Sequence, residues 1–136
     1  MNDKRFRVKV ELSLDASQID LSQFGLKAKD EIIPDVCLYL KGERRTERGE
    51  DLLKMPEMPL LAIEILSPSQ SVSSLVAKIK AYFALGVKSC WLVIPPTETV
   101  TVYSKPNEFT SFGAKNVEAI DEVMDIRLPI QEIFEW

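Results

Sequence analysis

Glu64 is the only charged residue in an apolar run, Pro59-Leu60-Leu61-Ala62-Ile63-Glu64-Ile65-Leu66. Such a run has the pattern of a central strand buried on both faces. A carboxylate inside it suffers a large desolvation penalty unless it is paired, protonated or bound to a cation. A structural salt bridge, a strand-end position and a functional role all fit that residue. Asp35 opens a second apolar run, Pro34-Asp35-Val36-Cys37-Leu38-Tyr39-Leu40, where a polar strand-start residue is the ordinary reading. Two acids on neighbouring strands can also converge on one hard cation, because Mg2+ accepts one or two protein carboxylates and leaves its other positions to water and phosphate. Lys78 and Lys80 follow in an amphipathic stretch, and on a helical wheel both flank its apolar face, Lys78 on the same side as Tyr82 one turn later. An ammonium there either snorkels over the core into solvent, or lowers the pKa of a metal-bound water and stabilises a pentacovalent phosphate. Spacing alone does not choose between the two lysines.

The elements that must position these residues are visible in the hydrophobic pattern. From Phe6 to Leu14 apolar Phe6, Val8, Val10, Leu12 and Leu14 alternate with Arg7, Lys9, Glu11 and Ser13, the period of a half-buried strand. The run from Pro34 to Leu40 reads as the next strand, entered through a proline that suits a strand start. Lys41–Lys54 follows as a charged loop whose Lys41–Asp51 run has no apolar face; it reads as a solvated connection, with a phosphate-touching loop as the alternative. Pro59–Leu66 is the central strand. Beyond Ser67-Pro68-Ser69, apolar Val72, Leu75, Val76, Ile79 and Phe83 have helical spacing and Gly86 supplies a C-terminal stop. Lys88–Ile94 and Thr99–Tyr103 read as strands joined by Pro95-Pro96-Thr97-Glu98, with a further strand near Phe109–Phe112. Leu128–Trp136 reads as a short terminal helix with a docked aromatic tail. The order predicts a mixed sheet with the helix crossing from the central strand to a parallel neighbour, an α/β fold bordering on α+β.

Composition removes several kinds of chemistry. The 136 residues contain no histidine, which excludes histidine-dependent triads and Cys/His zinc sites. Cys37 and Cys90 each lie in an apolar run and read as reduced core residues. The longest apolar stretch is too short for a membrane span, and the alternating, charged N-terminus lacks the apolar core of a secretory signal. A single domain over 1–136, cytoplasmic and without a membrane partner, is therefore expected. Seventeen basic against 21 acidic residues give a net charge of −4, which argues against a sequence-independent DNA coat but not against a local basic groove.

The blocks Pro34-Asp35-Val36, Ala62-Ile63-Glu64-Ile65-Leu66-Ser67-Pro68-Ser69, Lys78, Tyr82, Gly86-Val87 and Trp91-Leu92-Val93-Ile94-Pro95 together resemble, in order and spacing, the Uma2 family, also called DUF820 and abundant in cyanobacteria. The resemblance covers residues 34–103 and is far more specific than any one block. It implies a restriction-endonuclease-like mixed β-sheet flanked by helices, of the PD-(D/E)XK superfamily. It further implies a Mg2+- or Mn2+-dependent endonuclease that hydrolyses DNA and works as a homodimer. By resemblance, Asp35 and Glu64 hold the metal and are catalytic. The superfamily's usual lysine position is taken by Leu66, and the family's lysine four residues before the tyrosine selects Lys78 as the third catalytic residue. Tyr82 and Trp91 are family markers with packing roles. Against the family pattern the chain has a shortened N-terminus, Ser71-Val72-Ser73-Ser74 where an acid is common, and Ile94 where an aspartate is usual. These departures motivate the alternative, a catalytically degenerate module for binding or dimerisation, in which an internal lysine or arginine neutralises Glu64.

Overall fold

The computed structural model describes residues 4–28, 30–42 and 54–135. Its main sheet has six strands: β1 (Phe6–Val10), β4 (Val36–Leu40), β5 (Leu61–Ile65), β6 (Ser89–Ile94), β7 (Thr99–Lys105) and β8 (Glu108–Phe112), hydrogen-bonded in that spatial order. Two short pairs accompany it, β2 (Leu14–Asp15) with β3 (Glu31–Ile32), and β9 (Glu118–Asp121) with β10 (Ile126–Pro129). Within the main sheet only β5 and β6 run parallel. The expected crossover through α1 (Val72–Leu85) joins them. The architecture is α+β, on the expected border.

Helix α1 begins where Ser71 accepts a hydrogen bond from the Ser74 N–H at 3.1 Å, satisfying one of the donors a helix start leaves open. It ends at Gly86, whose φ of 104° is left-handed and suits a residue without a Cβ. Its buried seam is Leu75, Ile79, Ala81 and Tyr82, so Tyr82 joins the core while Phe83 and Val76 are only partly buried beside it. The seam packs on Ala62, Cys90, Leu92 and Tyr103 of the sheet. Both cysteines are buried and free of disulfides. The opposite sheet face carries Leu38, Leu61, Trp91, Val93 and Val100, covered by Ala119, Met124, Ile126 and Ile130. Those four covering residues come from β9, β10, the turn between them, and α2 (Ile130–Ile133). That second layer is tied down by Asp121, which is buried and accepts from Ser89 Oγ, Trp91 Nε1 at 2.7 Å and the Met124 N–H at 3.0 Å.

Three expectations are corrected. The strand predicted over Phe6–Leu14 stops at Val10, because Glu11 takes a left-handed φ of 50° and Leu14 pairs instead with Ile32. Its apolar face is not uniformly buried either: Val8 is 44 % and Val10 65 % exposed. Of this edge strand, Phe6 is the residue buried in the core that the second layer covers. The terminal segment forms a strand and one helical turn, Ile130–Ile133, rather than a helix from Leu128, because Ile126–Pro129 is drawn into pairing with β9. Phe134 packs against the core as a docked residue, while Trp136 and most of the Lys41–Lys54 connection lie outside the described residues. Among the described residues no helix is long and apolar enough to cross a membrane.

Candidate active site

The antiparallel register of β4 and β5 pairs Val36 with Ile63 and Cys37 with Ala62. Continued by one residue, it sets Asp35 beside Glu64, at the end of β5 where α1 begins its return. The Asp35 carboxylate is half-buried and its Oδ2 accepts the backbone N–H of Ile65 at 2.6 Å, which fixes the side chain against the neighbouring strand. Glu64 is fully buried. Its partners come from the helix above.

Lys78 and Tyr82, one turn apart on α1, both reach the same oxygen. Lys78 Nζ stands 2.9 Å from Glu64 Oε2, and the Tyr82 hydroxyl donates to that oxygen at 2.5 Å. Lys78 also donates to the Ile33 carbonyl at 2.9 Å, which carries it across from the helix to the approach of β4. An ammonium has three N–H donors, so two are used within the protein and the third is left for solvent or a ligand. The Lys78 side chain is 22 % exposed, open enough to meet one. Lys80 is exposed beside Phe24 and Phe83, so of the two lysines only Lys78 meets the buried carboxylate.

Burial pushes the Glu64 carboxyl above the usual carboxylate range; the Lys78 ammonium and the Tyr82 hydroxyl oppose this, and the Asp35 charge adds to it. Burial and the Glu64 charge beside it hold the Tyr82 phenol well above its ordinary value, which keeps it a proton donor. Burial likewise pushes the Cys90 thiol up, so Cys90 remains an inert core residue.

The raised Glu64 value makes the metal-free protein less stable as pH rises. Below the ordinary carboxylate value Glu64 is protonated in folded and unfolded chains alike and contributes no difference. Above it, the unfolded chain releases its proton first, so stability falls until the folded carboxyl has ionised as well. In EDTA, the melting temperature of Glu64→Gln relative to wild type is expected to rise as pH increases above the ordinary carboxylate value and to level off once the folded carboxyl has ionised, read by scanning calorimetry. A difference that stays constant with pH would show that Glu64 titrates alike in both states.

Glu64 Oε1 is buried with no hydrogen-bond partner among the described residues. Buried carboxylate oxygens normally have one. The donor set on offer is all oxygen, anionic and built from two carboxylates, which suits a hard divalent cation that keeps most of its ligands as water or phosphate. No group of three or more His, Cys, Asp or Glu residues is arranged to hold a metal among the described residues; the two carboxylates that stand side by side here are Asp35 and Glu64. The arrangement brings together Asp35, Glu64 and Lys78. It adds Tyr82, which the sequence places in the core; the signal for more than packing was its position four residues after Lys78.

A family profile, Uma2, described as "Putative restriction endonuclease", matches residues 12–130. Among solved structures the chain is similar to the crystal structure of a putative nuclease belonging to DUF820 from Anabaena variabilis ATCC 29413. The two share 25 % identity with a TM-score of 0.72, over 98 % of this chain and 70 % of that one. No curated protein matches.

Proposed function

The chain belongs to the Uma2 family of restriction-endonuclease-like proteins, and from that premise we propose that it is a divalent-metal-dependent endonuclease that hydrolyses phosphodiester bonds in DNA. The observation that carries the reading is Glu64 Oε1, a buried carboxyl oxygen with no hydrogen-bond partner among the described residues, beside a second carboxylate and a partly exposed ammonium. Asp35 and Glu64 would hold Mg2+ or Mn2+. Bound there, the ion would offset charge on the scissile phosphate and acidify a water for attack. Asp35 is held ready by the Ile65 N–H, and Glu64 by the two donors from α1. Lys78 would offer its remaining N–H to the phosphate, where an ammonium stabilises the charge that develops on the oxygens in the transition state. The same reading includes a homodimer, supported by the open outer edge of β1 with Val8 and Val10 exposed, since an uncovered sheet edge invites pairing.

A second reading has one observation in its favour. A degenerate module needs Glu64 neutralised from within, and Lys78 lies against it. Neutralisation alone leaves Oε1 unexplained, because both carboxylate oxygens would be expected to find donors if the pair existed only to stabilise the fold. Calorimetric titration of Mn2+ into wild type and Glu64→Gln separates the two. One ion bound by wild type and none by the variant is expected, followed by nicking of supercoiled plasmid when Mg2+ or Mn2+ is supplied. A wild type that binds no Mn2+ would favour the binding module.

A further inference from the structure

We propose that Tyr82 is a positioning residue for the metal-binding carboxylate: its hydroxyl and the Lys78 ammonium hold Glu64 Oε2 between them, and so present Oε1 to the cation. The inference rests on the metal-dependent reading above and adds a residue to it. Its basis is an asymmetry. Oε2 receives two donors, the Tyr82 hydroxyl and Lys78 Nζ, whereas Oε1 receives none among the described residues.

Both donors stand on one face of α1, a turn apart, on a helix capped at each end, so their separation is fixed by the helix rather than by side-chain freedom. The terminal torsion of a glutamate is broad and roughly two-fold. One lysine on a flexible stem would leave the carboxylate plane free to turn. A rigid phenol with few rotatable bonds on the same oxygen fixes that plane, and with it the direction in which the other oxygen faces. For packing alone, phenylalanine would fill the same fully buried place without burying a hydroxyl that needs a partner. The hydroxyl is therefore there for the carboxylate. Residues that orient a metal ligand in this manner commonly matter to affinity almost as much as the ligand.

The test is calorimetric titration of Mn2+ into wild type, Tyr82→Phe and Ile79→Val, with circular dichroism to establish folding. Ile79→Val thins the same buried seam but leaves the hydroxyl in place. Tyr82→Phe is expected to fold and to bind Mn2+ about 10- to 100-fold more weakly, with Ile79→Val close to wild type. Unchanged affinity in Tyr82→Phe, with wild type binding normally, would overturn the positioning role alone. Equal weakening in Tyr82→Phe and Ile79→Val would overturn it too, because loosened packing would then be the cause. Absence of binding in wild type would remove the metal-dependent reading and this role together.

Discussion

On the proposed reading, Lys78→Met is expected to reduce metal-dependent cleavage of plasmid DNA by about 100- to 1,000-fold in kcat, the usual range for one donor aimed at transition-state charge. KM should change little. Methionine keeps the apolar stem that lies along α1 and removes only the charged head. The loss would fall on the step in which charge builds on the phosphate, because the two contacts the ammonium makes within the protein, to Ile33 O and Glu64 Oε2, still leave one N–H for the substrate. The variant has a second effect that the assay must separate. Lys78 is the main influence opposing the burial that raises Glu64, so its removal raises the carboxyl further and weakens metal binding near neutrality. Cleavage is therefore compared across a pH series extended to the alkaline side with saturating Mn2+, because rising pH and bound cation both favour the ionised Glu64 carboxylate. A rate that returns to wild type at the alkaline end would assign Lys78 to ionising Glu64 rather than to the phosphate.

Asp121→Ala is expected to cost about 3 kcal/mol of stability, from the loss of charge-assisted bonds and the stranding of buried donors. The melting temperature would fall by roughly 10 °C for a chain of this size. Asp121 is as buried as Glu64, yet both its oxygens are occupied: Oδ2 by Ser89 Oγ and Trp91 Nε1, Oδ1 by the Met124 N–H. Alanine would leave the indole and backbone N–H groups buried without acceptors. Ser89 Oγ would keep only its longer contact to the Tyr103 carbonyl. Urea denaturation gives the loss directly, and Mn2+ titration of the variant below its melting temperature should give wild-type affinity, because Asp121 serves the opposite face of the sheet. A stability loss too small to measure would mean that the second layer is held by apolar packing alone. The contrast between these two acids is informative. A buried carboxylate with every oxygen satisfied behaves as a structural tie, whereas one with a bare oxygen has capacity for a ligand.

Much of this arrangement was legible in the sequence. The run around Glu64 announced a central strand, the helical spacing from Val72 with its stop at Gly86 announced α1, and their succession announced the parallel crossover. Asp35 and Glu64 could be placed on adjacent strands for the same reason. The choice of Lys78 over Lys80 could not come from the wheel, where both flank the apolar face; it came from the family's spacing, and the structure sets Lys78 on Glu64. What remained illegible depends on contacts between distant parts of the chain. Alternation along Phe6–Leu14 reports that side chains take turns, not whether a second layer covers them, so the exposure of Val8 and Val10 was hidden. The strands Glu118–Asp121 and Ile126–Pro129 are too short to show a period. The bonds from Tyr82 to Glu64 and from Trp91 to Asp121 join residues whose packing value already accounted for them.

The route of the chain through the parallel pair bears on how the protein folds. Glu64, Lys78 and Tyr82 all lie within the contiguous β5–α1–β6 stretch, with Tyr82 only 18 residues beyond its partner, so their cluster assembles as that unit closes. Asp35 arrives from outside it, over a separation of 30 residues to Ile65, although loop closure over the longer span is only modestly costlier. A nascent unit could therefore bury Glu64 against Tyr82 and Lys78 before its second carboxylate had docked. On the proposed reading, a cation that needs both acids would recognise only the chain with β4 in place. Metal would then favour completion of the fold by mass action, and its affinity would measure how firmly that strand stays docked.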